Sequence, residues 1–197
     1  MARVSVRPDV LEVVDFDRGR VAELVVDVAD GVGLPTDLEL VVEIDEASPF
    51  GATWTVIDGA TVTLSVESGA FEDPKAIRQL SEAGTRLVLG RLLFRLRDRL
   101  DPAFGDPPPD PELNFAQHAA WDAYAVGRYA RLVGVEGGAD RRRYAFRLRH
   151  GFTDAADRDF DLLWGGDGLT WADLDLEKIV SAHGDEQPEV GRIAEQA

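Results

Sequence analysis

The 197-residue sequence contains no cysteine, which removes disulfides, thiol nucleophiles, zinc ribbons and iron–sulfur clusters together. A reducing compartment is the simplest setting for such a chain. Long hydrophobic runs are missing too. No stretch approaches the ~18 apolar residues that span a bilayer, and Met1-Ala-Arg-Val-Ser-Val-Arg-Pro8 lacks the apolar core of a signal peptide. The protein is therefore expected in the cytoplasm, without a membrane partner. Lysine is nearly absent. Lys75 and Lys178 are the only two, and arginine supplies every other positive charge beside abundant Ala, Val, Asp and Gly. That bias points to a high-GC bacterial genome and carries no functional signal. Positive charge is scarce overall, with 21 basic against 37 acidic residues, a formal net charge of -16 and a pI near 4.5. Such a field repels phosphate backbones and anionic lipids over roughly a Debye length of ~8 Å. Nucleic acid is thus not expected as a partner, while basic proteins, metal ions and cationic ligands are attracted.

What is present suffices for one core: 45% of residues are apolar in a 21.5 kDa chain, the size of an ordinary domain. The pattern predicts a single α+β domain over residues 1–184 and a polar, aperiodic tail over 185–197. Val21, Leu24, Val25 and Val28 fall at i, i+3, i+4 and i+7, the stripe of an amphipathic helix ended by Gly31, Gly33 and Pro35. Three strand-like runs follow at 38–44, 52–57 and 61–67, the last two joined by Asp58-Gly59-Ala60 as a hairpin. A further strand over Val10 to Phe16 is allowed by composition.

After Asp73-Pro74 the longest helical pattern runs to about Leu100. From Leu87 to Leu96 its apolar residues occupy nearly the whole circumference, as in a buried helix. The proline-rich segment 101–111 cannot be helical. A second long helix is expected from Asn114, capped reciprocally with Gln117, toward Gly134. Residues 143–150 alternate like a strand, although a helical turn fits as well. Two short helices capped by Thr153 and Thr170 close the domain, the second stopping at Gly184. The expected architecture is a small, mostly antiparallel sheet with helices chiefly on one side, around a buried helix over about 74–100.

The order of these elements resembles the minimal zincin core, in which an edge strand lies beside a helix bearing H-E-x-x-H and a second helix brings a third ligand. In that register the chain reads Ser81-Glu82-Ala83-Gly84-Thr85, and only the central glutamate matches. The family's chemistry needs two imidazoles at i and i+4 to hold zinc, with the glutamate activating a bound water. Serine and threonine are poor zinc ligands, so the resemblance implies a degenerate scaffold with no metal site and no cofactor. The segments Phe71-Glu-Asp-Pro74, Ala120–Arg128 and His150–Asp154 are similar to an actinobacterial protein family, a resemblance that implies no activity.

Glu82 is the one candidate general base, set against a plain helix-surface pair with Arg86. His118 and Asp122, at i and i+4 on the second long helix, could contribute two ligands to a divalent metal or join a local hydrogen bond. In an enzyme or ligand binder, Arg128, His118 or Asp122 would orient the ligand. An arginine-rich island from Arg128 and Arg131 through Arg141, Arg142, Arg143, Arg147 and Arg149, interleaved with aromatics, has the composition of a phosphate-binding surface. The net charge favours a different use, neutralising the domain's own Asp154, Asp157, Asp159 and Asp161. Gly165-Gly166-Asp167-Gly168 lacks the strand and the Lys-Ser/Thr ending of a phosphate loop and reads as a turn. These residues predict a non-catalytic pseudo-enzyme or interaction domain that binds a protein or small molecule. The competing expectation is an enzyme or ligand binder with a cleft around Glu82, His118, Asp122 and Arg128.

Overall fold

The computed structural model describes residues 2–134 and 138–174. The expected helix stop at Gly184 and the tail over 185–197 lie outside the described residues. The chain opens with a strand that composition did not reveal, β1 (Arg3–Arg7), followed by α1 (Arg18–Val32) and β2 (Glu39–Asp45). Strands β1 and β2 pair in parallel, Val4 opposite Leu40 and Val6 opposite Val42. Helix α1 is the crossover a parallel pair requires, starting where Asp17 accepts from the Arg20 amide and ending at Gly33 in the left-handed region. Its stripe of Val21, Leu24, Val25 and Val28 is buried, as its spacing predicts.

The expected hairpin forms from β3 (Thr53–Asp58) and β4 (Thr61–Glu67), but the returning strand inserts beside β2, giving the order β1-β2-β4-β3. Pairing of β2 with β4 is parallel and of β3 with β4 antiparallel. The protein is α+β, and its sheet is mixed where a mostly antiparallel one is expected. Sequence shows which residues extend and not which neighbour they choose. Leu40, Val42, Ile44, Val62, Leu64 and Val66 face one core, while Glu39, Glu43, Thr61 and Thr63 are exposed or half-exposed.

The long helix is shorter than its expected span. Residues 74–81 do not belong to it: Ala76–Leu80 is a short strand, β6, paired with β5 (Glu72–Asp73). The Ser81 hydroxyl accepts from the Gly84 amide and starts α2 (Glu82–Leu100). No strand runs over Val10 to Phe16, where only Asp15 bridges to Gln79. Helix α3 (Phe115–Val133) begins with the Asn114–Gln117 capping box and ends at Gly134. Residues 143–150 belong to a helix, α4 (Ala139–His150). Helices α5 (Asp154–Gly165), capped by Thr153, and α6 (Trp171–Leu174) follow. The Thr170 amide and hydroxyl both donate to Asp173 at the start of α6.

Two apolar clusters result. One joins the sheet, α1 and the Leu89, Leu93 and Leu96 side of α2. The other gathers Trp121, Tyr124, Phe146, Phe160 and Leu163 from α3, α4 and α5. Helices α2 and α3 form the seam between them. No helix among the described residues is long and apolar enough to cross a membrane.

Candidate functional site

The seam is polar. Arg91, Arg95 and Arg99 recur every fourth residue of α2 and so share one face, turned toward α3 and the edge strand β3. Arg91 Nη1 donates to both Asp122 oxygens at 3.1 and 3.2 Å, and its Nη2 donates to Thr53 Oγ1 on β3. Arg95 Nη1 donates to Asp122 Oδ1 at 3.1 Å and its Nη2 to Asp110 Oδ1 at 2.6 Å. Arg99 donates to the same Asp110 oxygen at 2.8 Å. The remaining Asp110 oxygen accepts from the Thr55 amide at 2.9 Å. The proline-rich loop thereby delivers a carboxylate that ties two arginines to the outer edge of the sheet. Arg95 and Arg99 also lie over the Trp121 ring, 4.5 and 4.8 Å from its centroid.

His118 and Asp122 do share a face, as their spacing predicts. His118 Nδ1 sits 3.4 Å from Arg95 Nη1, so Asp122 shares its surroundings with guanidiniums. Burial and the Arg95 charge push the imidazole below its ordinary value. Among the described residues no group of three or more His, Asp or Glu side chains is arranged to hold a metal. Burial alone would raise the Asp122 carboxyl, but Arg91, Arg95 and Arg142 outweigh it and hold it at about 2.

Arg128 lies further along α3. It forks onto Asp98 with bonds of 2.7 and 2.5 Å, and Asp98 also accepts from Trp121 Nε1 at 2.8 Å. The guanidinium is stacked between Tyr124, 3.7 Å from the ring centroid, and Phe94 at 4.6 Å. This pair lines a cleft of about 640 Å³ between the end of α2, α3 and the α5–α6 turn. Arg131 holds that turn through the carbonyls of Trp164 and Gly166 and the Asp167 carboxylate.

Glu82 belongs to neither place. It accepts from Arg20 of α1 at 2.8 and 2.6 Å on the protein surface, and Arg86 pairs instead with Asp27. The Arg20 hydrogen bonds pull its carboxyl below the usual range. Nine residues separate Glu82 from Arg91, about 14 Å of helix. The four candidates thus divide among three sites: Glu82 at the surface, His118 and Asp122 in the seam, Arg128 in the cleft.

No protein-family model, curated protein or solved structure matches this chain. The site therefore has to be argued from its own geometry. Arg91, Arg95, Arg99, Asp98 and Asp110, which do most of the pairing, were not among the sequence candidates. Their signal was available. Charged residues every fourth position in a helix otherwise apolar all round must be buried, and buried charges need partners.

The arginine island is largely spent inside the domain. Arg128 binds Asp98, Arg131 binds Asp167, and Arg142 reaches Asp122. Arg143 pairs with Asp157 and Asp161, and Arg147 with Asp157.

Proposed function

We propose that this protein is a non-catalytic interaction domain, a zincin-like scaffold that lacks the metal ligands and whose carboxylates are held in fixed pairs with arginine. The carrying observation is that Asp98, Asp110, Asp122 and Glu82 are each bonded by at least one arginine, and that Asp110, Asp122 and Glu82 have pKa values displaced downward. A general base works best with a pKa near the operating pH, and carboxylates displaced the other way are poor proton acceptors.

The arrangement of parts supports the scaffold reading. Edge strand β3 lies beside α2 through the Arg91–Thr53 bond, and α3 brings Asp122 to the same place. In the register of the family motif, Ser81 is spent on capping α2 and Thr85 is fully buried. The i, i+4 pair of α2 that meets a side chain of the second helix is Arg91 and Arg95.

Elemental analysis after dialysis against a mild chelator tests the reading, together with assays on peptide, ester and phosphoester substrates between pH 5 and 9. We expect well under one zinc per chain and no turnover. Stoichiometric zinc, or hydrolysis abolished by Asp122→Asn or Glu82→Gln, overturns it.

A further inference from the structure

We propose that the outer face of α4 is a docking surface for an acidic amphipathic helix of a partner protein. The inference rests on the interaction-domain reading and names the surface and the chemistry of the partner.

Helix α4 is inverted for a helix packed on a domain. Of its large apolar residues only Phe146 is buried, against Phe160. Much of the rest of its hold is ionic, through Arg142 to Asp122, Arg143 to Asp161 and Arg147 to Asp157, with His150 Nε2 3.1 Å from the Ala116 carbonyl oxygen. Tyr144 and Leu148 point the other way and are 58% and 55% exposed. Phe152, past the Gly151 turn that ends the helix, folds back beside them at 62% exposure, its ring 5.9 Å from that of Tyr144. Beside it the Arg149 guanidinium lies 4.6 Å from the centroid of Phe115, itself 71% exposed. Tyr144 and Leu148, at i and i+4, share one face of the helix, and Phe152 widens it into a contiguous patch. Contiguous apolar surface of this kind marks interaction sites, and tyrosine and arginine are common among the residues that dominate interface energies.

Charge selects the occupant. Arg141 and Arg149 flank the patch, and among the described residues neither has an ion pair, while Arg142, Arg143 and Arg147 are all engaged. They stand eight residues apart, about 12 Å along the helix. A partner helix with apolar residues between two carboxylates at that spacing meets both arginines and covers the patch. A second copy of this chain would place arginine against arginine, with a net charge of -16 on each side. A polyanion such as nucleic acid offers no apolar side chains to cover Tyr144, Leu148 and Phe152, so it leaves the exposed patch in water.

The test uses two synthetic amphipathic helical peptides, one with glutamates at this spacing around leucines and one with lysines in their place. Binding to the full chain is followed by fluorescence anisotropy and amide chemical shifts. We expect saturable binding of the glutamate peptide, shifts centred on Tyr144, Leu148 and Arg149, and at least about tenfold weaker binding of the lysine peptide. Leu148→Asp and Arg149→Glu, both at exposed positions, should each weaken the glutamate peptide by at least about tenfold. Arg149→Glu should recover binding of the lysine peptide. No binding, shifts elsewhere on the domain, indifference to peptide charge, or self-association abolished by Leu148→Asp each overturns the inference. Those outcomes leave the non-catalytic reading standing, because that reading fails only on zinc or turnover.

Discussion

Two titrating groups in the α2–α3 seam give the protein a pH dependence with two separate windows. His118 has a folded pKa below its ordinary value because of burial and Arg95. The unfolded chain therefore binds a proton more readily, and stability falls as pH drops through the unfolded value of about 6.5. Asp122 is held at about 2, below an unfolded value of about 3.9. Its contribution is complete above roughly pH 4 and disappears as pH falls toward 2. Urea unfolding across this range should show both declines. His118→Gln should remove the upper one and Asp122→Asn should reduce the lower, to which the lowered Asp110 carboxyl also contributes. At pH 7, Asp122→Asn also leaves three guanidiniums short of a countercharge. With the carboxylate only 19% exposed, the cost should be about 3 kcal/mol, the low end for breaking a buried pair. Glu82→Gln should leave the unfolding midpoint within experimental scatter, since Glu82 and Arg20 are both well exposed. If Glu82→Gln destabilises as much as Asp122→Asn, the seam is not the principal electrostatic element.

At the scale of elements, close approach decides how the helices pack. Gly127 of α3 and Gly90 of α2 lie within helices, where alanine is ordinarily favoured by about 1 kcal/mol. A Cβ on Gly127 would collide with the Trp164 backbone, and one on Gly90 with the Tyr129 ring. Backbone cannot rotate away, so Gly127→Ala should reverse the usual sign and cost about 1–3 kcal/mol. Leu92→Ala, at a site 1% exposed, should cost about 2–5 kcal/mol. Thermal or urea unfolding measures both, and a stabilised Gly127→Ala would mean that α3 and α5 sit further apart. The sequence was legible wherever the signal was local: the α1 stripe, the Asn114–Gln117 box, the β3–β4 turn and the Thr153 cap all form as their residues predict. It was not legible where partners came from afar. The strand character of Arg3–Arg7 depends on β2 beside it. Residues 143–150 alternate like a strand, but Arg143 and Arg147 are also i, i+4, and the carboxylates of α5 select the helix. Likewise nothing near Glu82 in sequence announces Arg20, 62 residues earlier.

Across the whole molecule, the sheet cluster and the helical cluster are joined by a seam that depends on charge as well as apolar contact. Ala125 and Tyr129 of α3 reach into the first cluster while Trp121 and Tyr124, from the same helix, belong to the second. Between them run the Asp98, Asp110 and Asp122 pairs. Such a joint is strong while all partners are charged and fails when one loses its charge, because an uncompensated buried charge costs more than the pair contributes. The tryptophans make this observable. Three of the four tryptophans, Trp121, Trp164 and Trp171, lie in or against the helical cluster, and the fourth, Trp54 on β3, is partly exposed, so the buried indole fluorescence follows chiefly the helical half, whereas far-ultraviolet circular dichroism follows the whole chain. At pH 7 the two signals should give one coincident urea transition, the mark of a single cooperative unit. At about pH 3, between the unfolded and folded values of Asp122, the seam has begun to lose its contribution, and fluorescence should change at lower urea than dichroism. Asp122→Asn should separate the transitions already at pH 7. Coincident transitions in that variant would show that the apolar contacts of Ala125 and Tyr129 alone hold the clusters together, and the arginine–aspartate seam would then be a tolerated burial of charge and not the joint of the fold.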